Sequence, residues 1–281
     1  MSLSIPFVKM HGLGNDFVVL DSRGQSASPS APVDLKISPK QAQRMCDRRF
    51  GIGADQILWL KKPLNSNLDV RMEILNADGS VAEMCGNGIR AISLYLFAED
   101  QERKTEYSVE TLTGVQRVTI DPQSLTVCVD MGLPKLGGGF GSGGETLQVQ
   151  GQTLRFFEVN VGNPHALFFV DSVDTYPVEK LGPLIEVHPR FPQRTNVEFI
   201  EVVDPTKIKL RVWERGAGIT LACGSGACAS AVGCIATSKT NSPLEVELPG
   251  GTLNLSWNGP GTSVFMRGPD TEVFRGVYSL S

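Results

Sequence analysis

The chain has 281 residues, 41% hydrophobic and 20% charged, enough to bury a core in one large or two ordinary domains and too apolar for a disordered tail protein. Its 26 basic and 30 acidic side chains leave a net charge of −4, so no global basic field favours nucleic acid or an anionic membrane, and a small polar or zwitterionic ligand is the better expected partner. The opening MSLSIPFVKMHG lacks the pattern of a secretory signal, and the longest apolar stretch, around Ala91 to Ala98, is far short of the roughly 18–20 residues of a membrane helix; a cytoplasmic chain with reduced thiols is expected.

In chain order, Phe7–Met10 and Phe17–Leu20 read as strands around a His11-to-Asp16 turn, and Ser26 to Pro32 as a loop. Ser38-Pro39 supplies an N-cap and an N1 proline for a short helix to about Arg48. Ile57–Leu60 and Val70–Leu75 read as strands. Cys85-Gly-Asn-Gly then opens a helix with Ile89, Ile92 and Leu96 at helical spacing. Strands follow at Thr105–Glu110, Gln116–Ile120 and Leu125–Val129, and the glycine run 137–144 reads as a linker or a flexible hairpin loop, its midpoint position favouring a domain boundary. Strands at Phe156–Val161 and Ala166–Val170 flank a Gly162-Asn163-Pro164-His165 turn. Val197–Val202 and Ile208–Trp213 are strands, and Cys223-Gly-Ser-Gly-Ala opens a second helix.

The second half repeats the first. Aligning Cys85 with Cys223 without gaps sets Asn76 on Glu214 and Ala91 on Ala229, each copy is preceded by a strand, and Gly14-Asn15 corresponds to Gly162-Asn163. One Cys-Gly-x-Gly is an ordinary glycine turn; two in the same strand–loop–helix context predict a pseudo-twofold α+β protein with both cysteines at an interdomain cleft. The second helix, of small uncharged residues, implies a sheet curled about a central helix. The division expected is 1–133 and 134–281, with a C-terminal strand, about 270–281, returning to the first half.

A cysteine just before a helix meets unpaired N–H groups and the positive end of the dipole, which favour a thiolate or a ligand carboxylate. Two such thiols on opposite faces of one carbon suit inversion: one removes a proton and the other returns one to the far face, while fixed donors hold the developing charge. Cys228 and Cys234 within the second helix, and Cys46 and Cys128, read as packing residues. The 3 histidines, His11, His165 and His188, offer no zinc spacing, and a cysteine hydrolase would leave the second cysteine unexplained. A reversible thiol redox sensor or a non-catalytic amino-acid-binding protein is the competing class. Taken singly, Asn15, Asn76 and Asn163 read as turn formers, Glu214-Arg215 as a solvated pair and His165 as a loop histidine.

Over nearly the whole chain the sequence resembles the diaminopimelate epimerases, through HGLGNDF (11–17), GADQ (53–56), NADGSVAEMCGNGIRA (76–91), GNPH (162–165), RTNVEF (194–199) and WERGAG…ACGSGA (213–227). The resemblance implies two pseudo-symmetric domains, each a curled mixed sheet around a central helix. It also implies an isomerase of lysine and peptidoglycan-precursor biosynthesis that interconverts LL- and meso-2,6-diaminopimelate without pyridoxal phosphate, metal or other cofactor, in a cytoplasmic homodimer. Cys85 and Cys223 would be the acid/base thiols, with His165 and Glu214 tuning their protonation. Gly86, Asn87, Gly224 and Ser225 would bind the α-carboxylate, with Asn15, Gln56, Asn76, Asn163, Asn196, Glu214 and Arg215 lining the rest; Ser225 stands where many relatives carry Thr. His11 is expected to be structural, and Arg90 to pack or pair near the first helix.

Overall fold

The computed structural model describes residues 3–24 and 31–280; the loop expected from Ser26 lies, up to residue 30, outside the described residues. The chain forms two compact units, one running to Val129 and resuming at Gly268, the other Asp130–Arg267. Both are α+β, each a mixed sheet packed on short and long helices. Among the described residues no helix is long and apolar enough to cross a membrane.

In the first unit, β1 (Leu3–Gly12) and β2 (Asn15–Asp21) form a hairpin with Gly12 opposite Asn15. The turn is therefore only Leu13-Gly14, narrower than the motif suggests, with φ of 55° and 89°. Positive φ at both central residues matches the twist of the flanking strands. The expected short helix, α1 (Pro39–Cys46), starts on a full capping box between Ser38 and Gln41. β3 (Gln56–Lys61) runs parallel to β2, and β4 (Val70–Asn76) antiparallel to β3. After β5 (Val81–Ala82) comes α2 (Gly86–Glu99), and then β6 (Glu106–Thr111), β7 (Gly114–Asp121) and β8 (Thr126–Asp130). The C-terminal strand, Thr271–Leu280, pairs antiparallel with β1, His11 facing Thr271.

The second unit holds β9 (Lys135–Leu136), β10 (Glu145–Val149), β11 (Gln152–Asn160), β12 (Pro164–Phe169), α3 (Val178–Glu186), β13 (Asn196–Asp204), β14 (Lys207–Glu214) and β15 (Gly218–Ile219). These are followed by α4 (Gly224–Ala236), β16 (Leu244–Leu248), β17 (Gly251–Trp257) and β18 (Val264–Pro269), whose last two residues belong to the first unit. The glycine run expected as a linker is instead inside this unit. Gly137 N–H donates to the Glu158 carbonyl and Glu158 N–H to that of Gly138, so the run docks on β11. Gly139, Gly141, Gly143 and Gly144 take positive φ, and a Cβ on Gly139 would lie 2.9 Å from the Phe156 carbonyl oxygen, so the run forms a turn against β11 that needs glycine.

Strand alternation sorts the core. Val18, Leu20, Ile57 and Trp59 pack with Ala42, Met45 and Cys46 of α1, while Leu58 faces the α2 side. In the second unit Ala166, Phe168, Val197 and Phe199 pack with Val178, Leu181 and Ile185 of α3, leaving Leu167 toward Gly233 of α4. α4 touches β11, β12, β13, β14, β16 and β17, the curled arrangement that its small residues imply. α3 repeats α1, yet only α1 is announced by its sequence. α1 has a Ser-Pro start, whereas α3 begins at Pro177 with no side-chain cap and carries Pro183 inside.

Candidate active site

Both Cys-Gly-x-Gly turns form helix starts in which the cysteine is itself the N-cap. Cys85 Sγ accepts from the N–H of Gly88, and Cys223 Sγ from that of Gly226, each at 3.3 Å. A serine or aspartate oxygen ordinarily fills this role; here a sulfur sits at the positive end of each helix, where anionic character is favoured. The second glycine of each motif is required by the packing beneath it. A Cβ at Gly88 would meet Leu58 at 2.9 Å, and one at Gly226 would meet Glu198 Oε1 at 3.0 Å and Cys223 Sγ at 3.2 Å.

In the first unit Asn15 Oδ1 faces the Cys85 sulfur at 3.8 Å and accepts from Asn87 Nδ2 at 3.3 Å. Its other end is fixed: Asn15 Nδ2 donates to Asp55 Oδ2 at 2.9 Å. Gly86 is the first helical residue. Gln56 follows Asp55 and donates to Asn76 Oδ1 at 2.9 Å across the β3–β4 ladder. Asn15, Cys85, Gly86 and Asn87 thus form one group and Gln56–Asn76 a second, joined through Asp55. His11 Nδ1 accepts from Gly14 N–H at 3.4 Å within the β1–β2 turn. Arg90 is completely buried, donating to Asp270 and, through Nη1, to Asn87 Oδ1.

Behind Asn15, Arg48 bridges Asp16 and Asp55, and Lys9 adds a second cation to Asp16. Burial pushes the Asp16 carboxyl up, but the Arg48 and Lys9 hydrogen bonds outweigh it and hold it at about 2, below 3.8. A depressed carboxylate contributes stability above its unfolded value and loses it as pH falls through the folded one. Acid titration is therefore expected to cost the wild type on the order of 1 kcal/mol between pH 4 and 2 that Asp16→Asn does not lose, solvent screening allowed for; urea midpoints at stepped pH check it.

In the second unit Asn163 Nδ2 donates to Ser225 Oγ at 3.4 Å, and Ser225 Oγ lies 3.6 Å from Cys223 Sγ. Asn163 Oδ1 accepts from His165 Nε2 at 2.9 Å, and His165 Nδ1 lies 2.6 Å from Glu198 Oε1. Asn196 Oδ1 accepts from the Arg215 N–H at 2.9 Å, which sets the start of the β14–β15 turn. The Arg215 guanidinium is exposed and touches the Gln193 carbonyl, while Glu214 accepts from Thr220 Oγ1. Gly224 opens α4 and is buried. Burial pushes the Cys223 thiol well up, and Glu214 and Glu198 push it further; Ser225 and the Gly226 N–H act against them.

Sequence reasoning missed Glu198 and Asp55, although both lie inside motifs it singled out, and also missed Thr220 and Asp270. For Glu198 a signal exists: a lone carboxylate on the inward alternation of a strand whose neighbours Val197 and Phe199 are fully buried.

The profile of the family described as Diaminopimelate epimerase matches residues 7–137 and 157–273. The "Diaminopimelate epimerase" of Stutzerimonas stutzeri is 46% identical, over 98% of this chain and 99% of its own length. That of Gloeothece citriformis is 44% identical, over 99% of this chain and its full length. Among solved structures, a hydroxyproline epimerase from Agrobacterium vitis has a TM-score of 0.71 at 14% identity, covering 99% of this chain and 93% of its own. A Bacillus anthracis phenazine biosynthesis protein of the PhzF family gives 0.71 at 14%, covering 99% of both chains. At that identity the structural likeness shows the shared fold.

Proposed function

Since the chain belongs to the diaminopimelate epimerase family, we propose that it inverts one stereocentre of 2,6-diaminopimelate, LL to meso and back, by proton transfer between two thiols. One observation carries this reading. Each half of the chain ends a strand–loop segment on a cysteine whose sulfur caps a glycine-rich helix. One thiolate takes the Cα proton and becomes a thiol; the other thiol gives its proton to the opposite face and becomes the thiolate. The enzyme leaves the cycle with its two protonation states exchanged and requires no cofactor.

The Cα–H bond is weakly acidic, so the charge spreading into the carboxylate has to be met by fixed donors. The backbone N–H groups at Gly86-Asn87 and Gly224-Ser225 supply them at two helix starts. Arg215 suits the distal carboxylate by its forked donors, while Glu214 and the amide oxygens of Asn15, Gln56, Asn76, Asn163 and Asn196 suit the ammonium groups. A cytoplasmic homodimer serving lysine and peptidoglycan-precursor synthesis completes the reading, on the strength of the family resemblance.

Incubation of the purified protein with LL-diaminopimelate in heavy water, without added cofactor, tests it. Deuterium at Cα together with the meso isomer is expected. A redox sensor or a binding protein gives neither, and their absence would reject the proposal.

A further inference from the structure

The two halves of the chain have equivalent backbones but unequal floors beneath their cysteine helices. In the parallel pair β2–β3 Phe17 lies opposite Gln56, and in the parallel pair β12–β13 His165 lies opposite Asn196. By that register His165 occupies the place of Phe17, and Glu198 the place of Leu58. The glycine packing gives the same equivalence, since Gly88 abuts Leu58 where Gly226 abuts Glu198. One helix therefore rests on two apolar side chains, the other on an imidazole and a carboxyl that are 1% and 0% exposed.

We propose that Glu198 is a positioning residue of the second half-site: by sharing a proton with His165 Nδ1 it makes Nε2 a donor to Asn163, and so turns a line of hydrogen-bond donors toward the Cys223 sulfur. The argument is one of elimination among protonation states. With a neutral acid Glu198 donates to Nδ1, and the neutral ring must carry its hydrogen on Nε2. In the ionic pair both ring nitrogens carry hydrogen. Only a carboxylate beside a neutral Nδ1–H ring would leave Nε2 bare, and that state strands an anion with no cation beside it. There Oε1 accepts the Nδ1–H, but Oε2 has no hydrogen-bond partner among the described residues, so the buried anion keeps one hydrogen bond to a neutral donor and no cation. Burial also pushes the Glu198 carboxyl up, with His165 opposing and the Glu214 charge reinforcing.

From Nε2 the direction propagates. Asn163 turns its oxygen to His165 and its NH₂ to Ser225, which leaves the Ser225 hydroxyl hydrogen available for Cys223 Sγ. In the first half the corresponding amide is reversed. Asp55 holds the Asn15 NH₂, so the Asn15 oxygen faces Cys85. An oxygen beside one sulfur favours S–H there, while a hydroxyl donor beside the other opposes the burial and the carboxyl charges that push the Cys223 thiol up.

This inference rests on the epimerase reading for its kinetic part, and its test separates the two. The titratable groups facing Glu198 are His165 from β12, Glu214 from β14 and Cys223 at the start of α4, so pH profiles are compared with those three retained. In the wild type, ¹⁵N shifts of His165, one of 3 histidines, are expected to show Nε2 protonated throughout pH 6–9. Glu198→Gln lets a neutral ring hold its hydrogen on Nδ1, and is expected to lower kcat/KM about tenfold and move the acid limb of its pH profile. If Glu198→Gln does not fold, the ¹⁵N measurement of His165 in the wild type decides the proposal by itself. A wild-type His165 with Nε2 unprotonated, or an unmoved acid limb with kcat/KM within about twofold of wild type, overturns the proposal. A wild type that folds but does not epimerise diaminopimelate overturns the functional reading instead, and leaves the ¹⁵N result to decide the tautomer.

Discussion

Alanine in place of either Cys85 or Cys223 is expected to lower the epimerisation rate by about 10³-fold or more, since each variant lacks one of the two groups that exchange a proton with Cα. Alanine also removes a helix cap, because each sulfur accepts the N–H of the third helical residue. That loss is worth about 1 kcal/mol and is separate from the loss of the acid/base group. Serine separates the two effects: its hydroxyl caps the helix but does not ionise in the working range. Cys85→Ser and Cys223→Ser are therefore expected to keep stability within about 0.5 kcal/mol of wild type while remaining as inactive as the alanine variants. Denaturant midpoints and a coupled rate assay check both halves of the expectation. Either alanine variant turning over within about tenfold of wild type would remove its cysteine from the mechanism.

The largest stability effect is expected at Arg90. Its guanidinium and the Asp270 carboxylate are both 0% exposed and meet at 3.0 Å, tying the start of the C-terminal strand to α2. A Cβ on Gly12 would stand 2.3 Å from Asp270 Oδ1, so this pair also explains why glycine ends β1. Arg90→Met strands a carboxylate in the core, at a cost of about 3–5 kcal/mol. Adding Asp270→Leu removes the stranded charge and is expected to recover part of that cost. Burial pushes the Asp270 carboxyl up to about 7, with Arg90 opposing the rise. A raised acid contributes its stability below its unfolded value and loses it as pH rises through the folded one. The Arg90→Met penalty is thus expected to be larger at pH 8 than at pH 5. Because Arg90 Nη1 also holds Asn87 Oδ1, activity should fall with it. A penalty that is independent of pH and equal in the double variant would refute this account.

What was legible in the sequence was local or repeated. Ser38-Pro39 announces α1 because capping chemistry is written in adjacent residues, and the duplicated cysteine turns announce two equivalent helix starts. The same logic failed at α3, which starts without a side-chain cap, and at the glycine run 137–144, whose composition suggests a linker while its backbone bonds β11. Asparagines that read singly as turn formers, and as site residues only through the family resemblance, have Asn15 set against Cys85 and Asn163 against Ser225.

Residue order alone gave the duplicated architecture and the two cysteines at helix starts, which depend on spacing along the chain, and its ordered motifs carried the family resemblance. Only the tertiary structure decided which groups lie under each thiol. Glu198 meets His165 from a neighbouring parallel strand, Asp55 reaches Asn15 from another loop, and Asp270 reaches Arg90 from the far end of the chain. Such pairs have no signature in sequence distance. For the buried Glu198 and Arg90 the reason is that burying a charge without a partner is so costly that the fold must bring one to it.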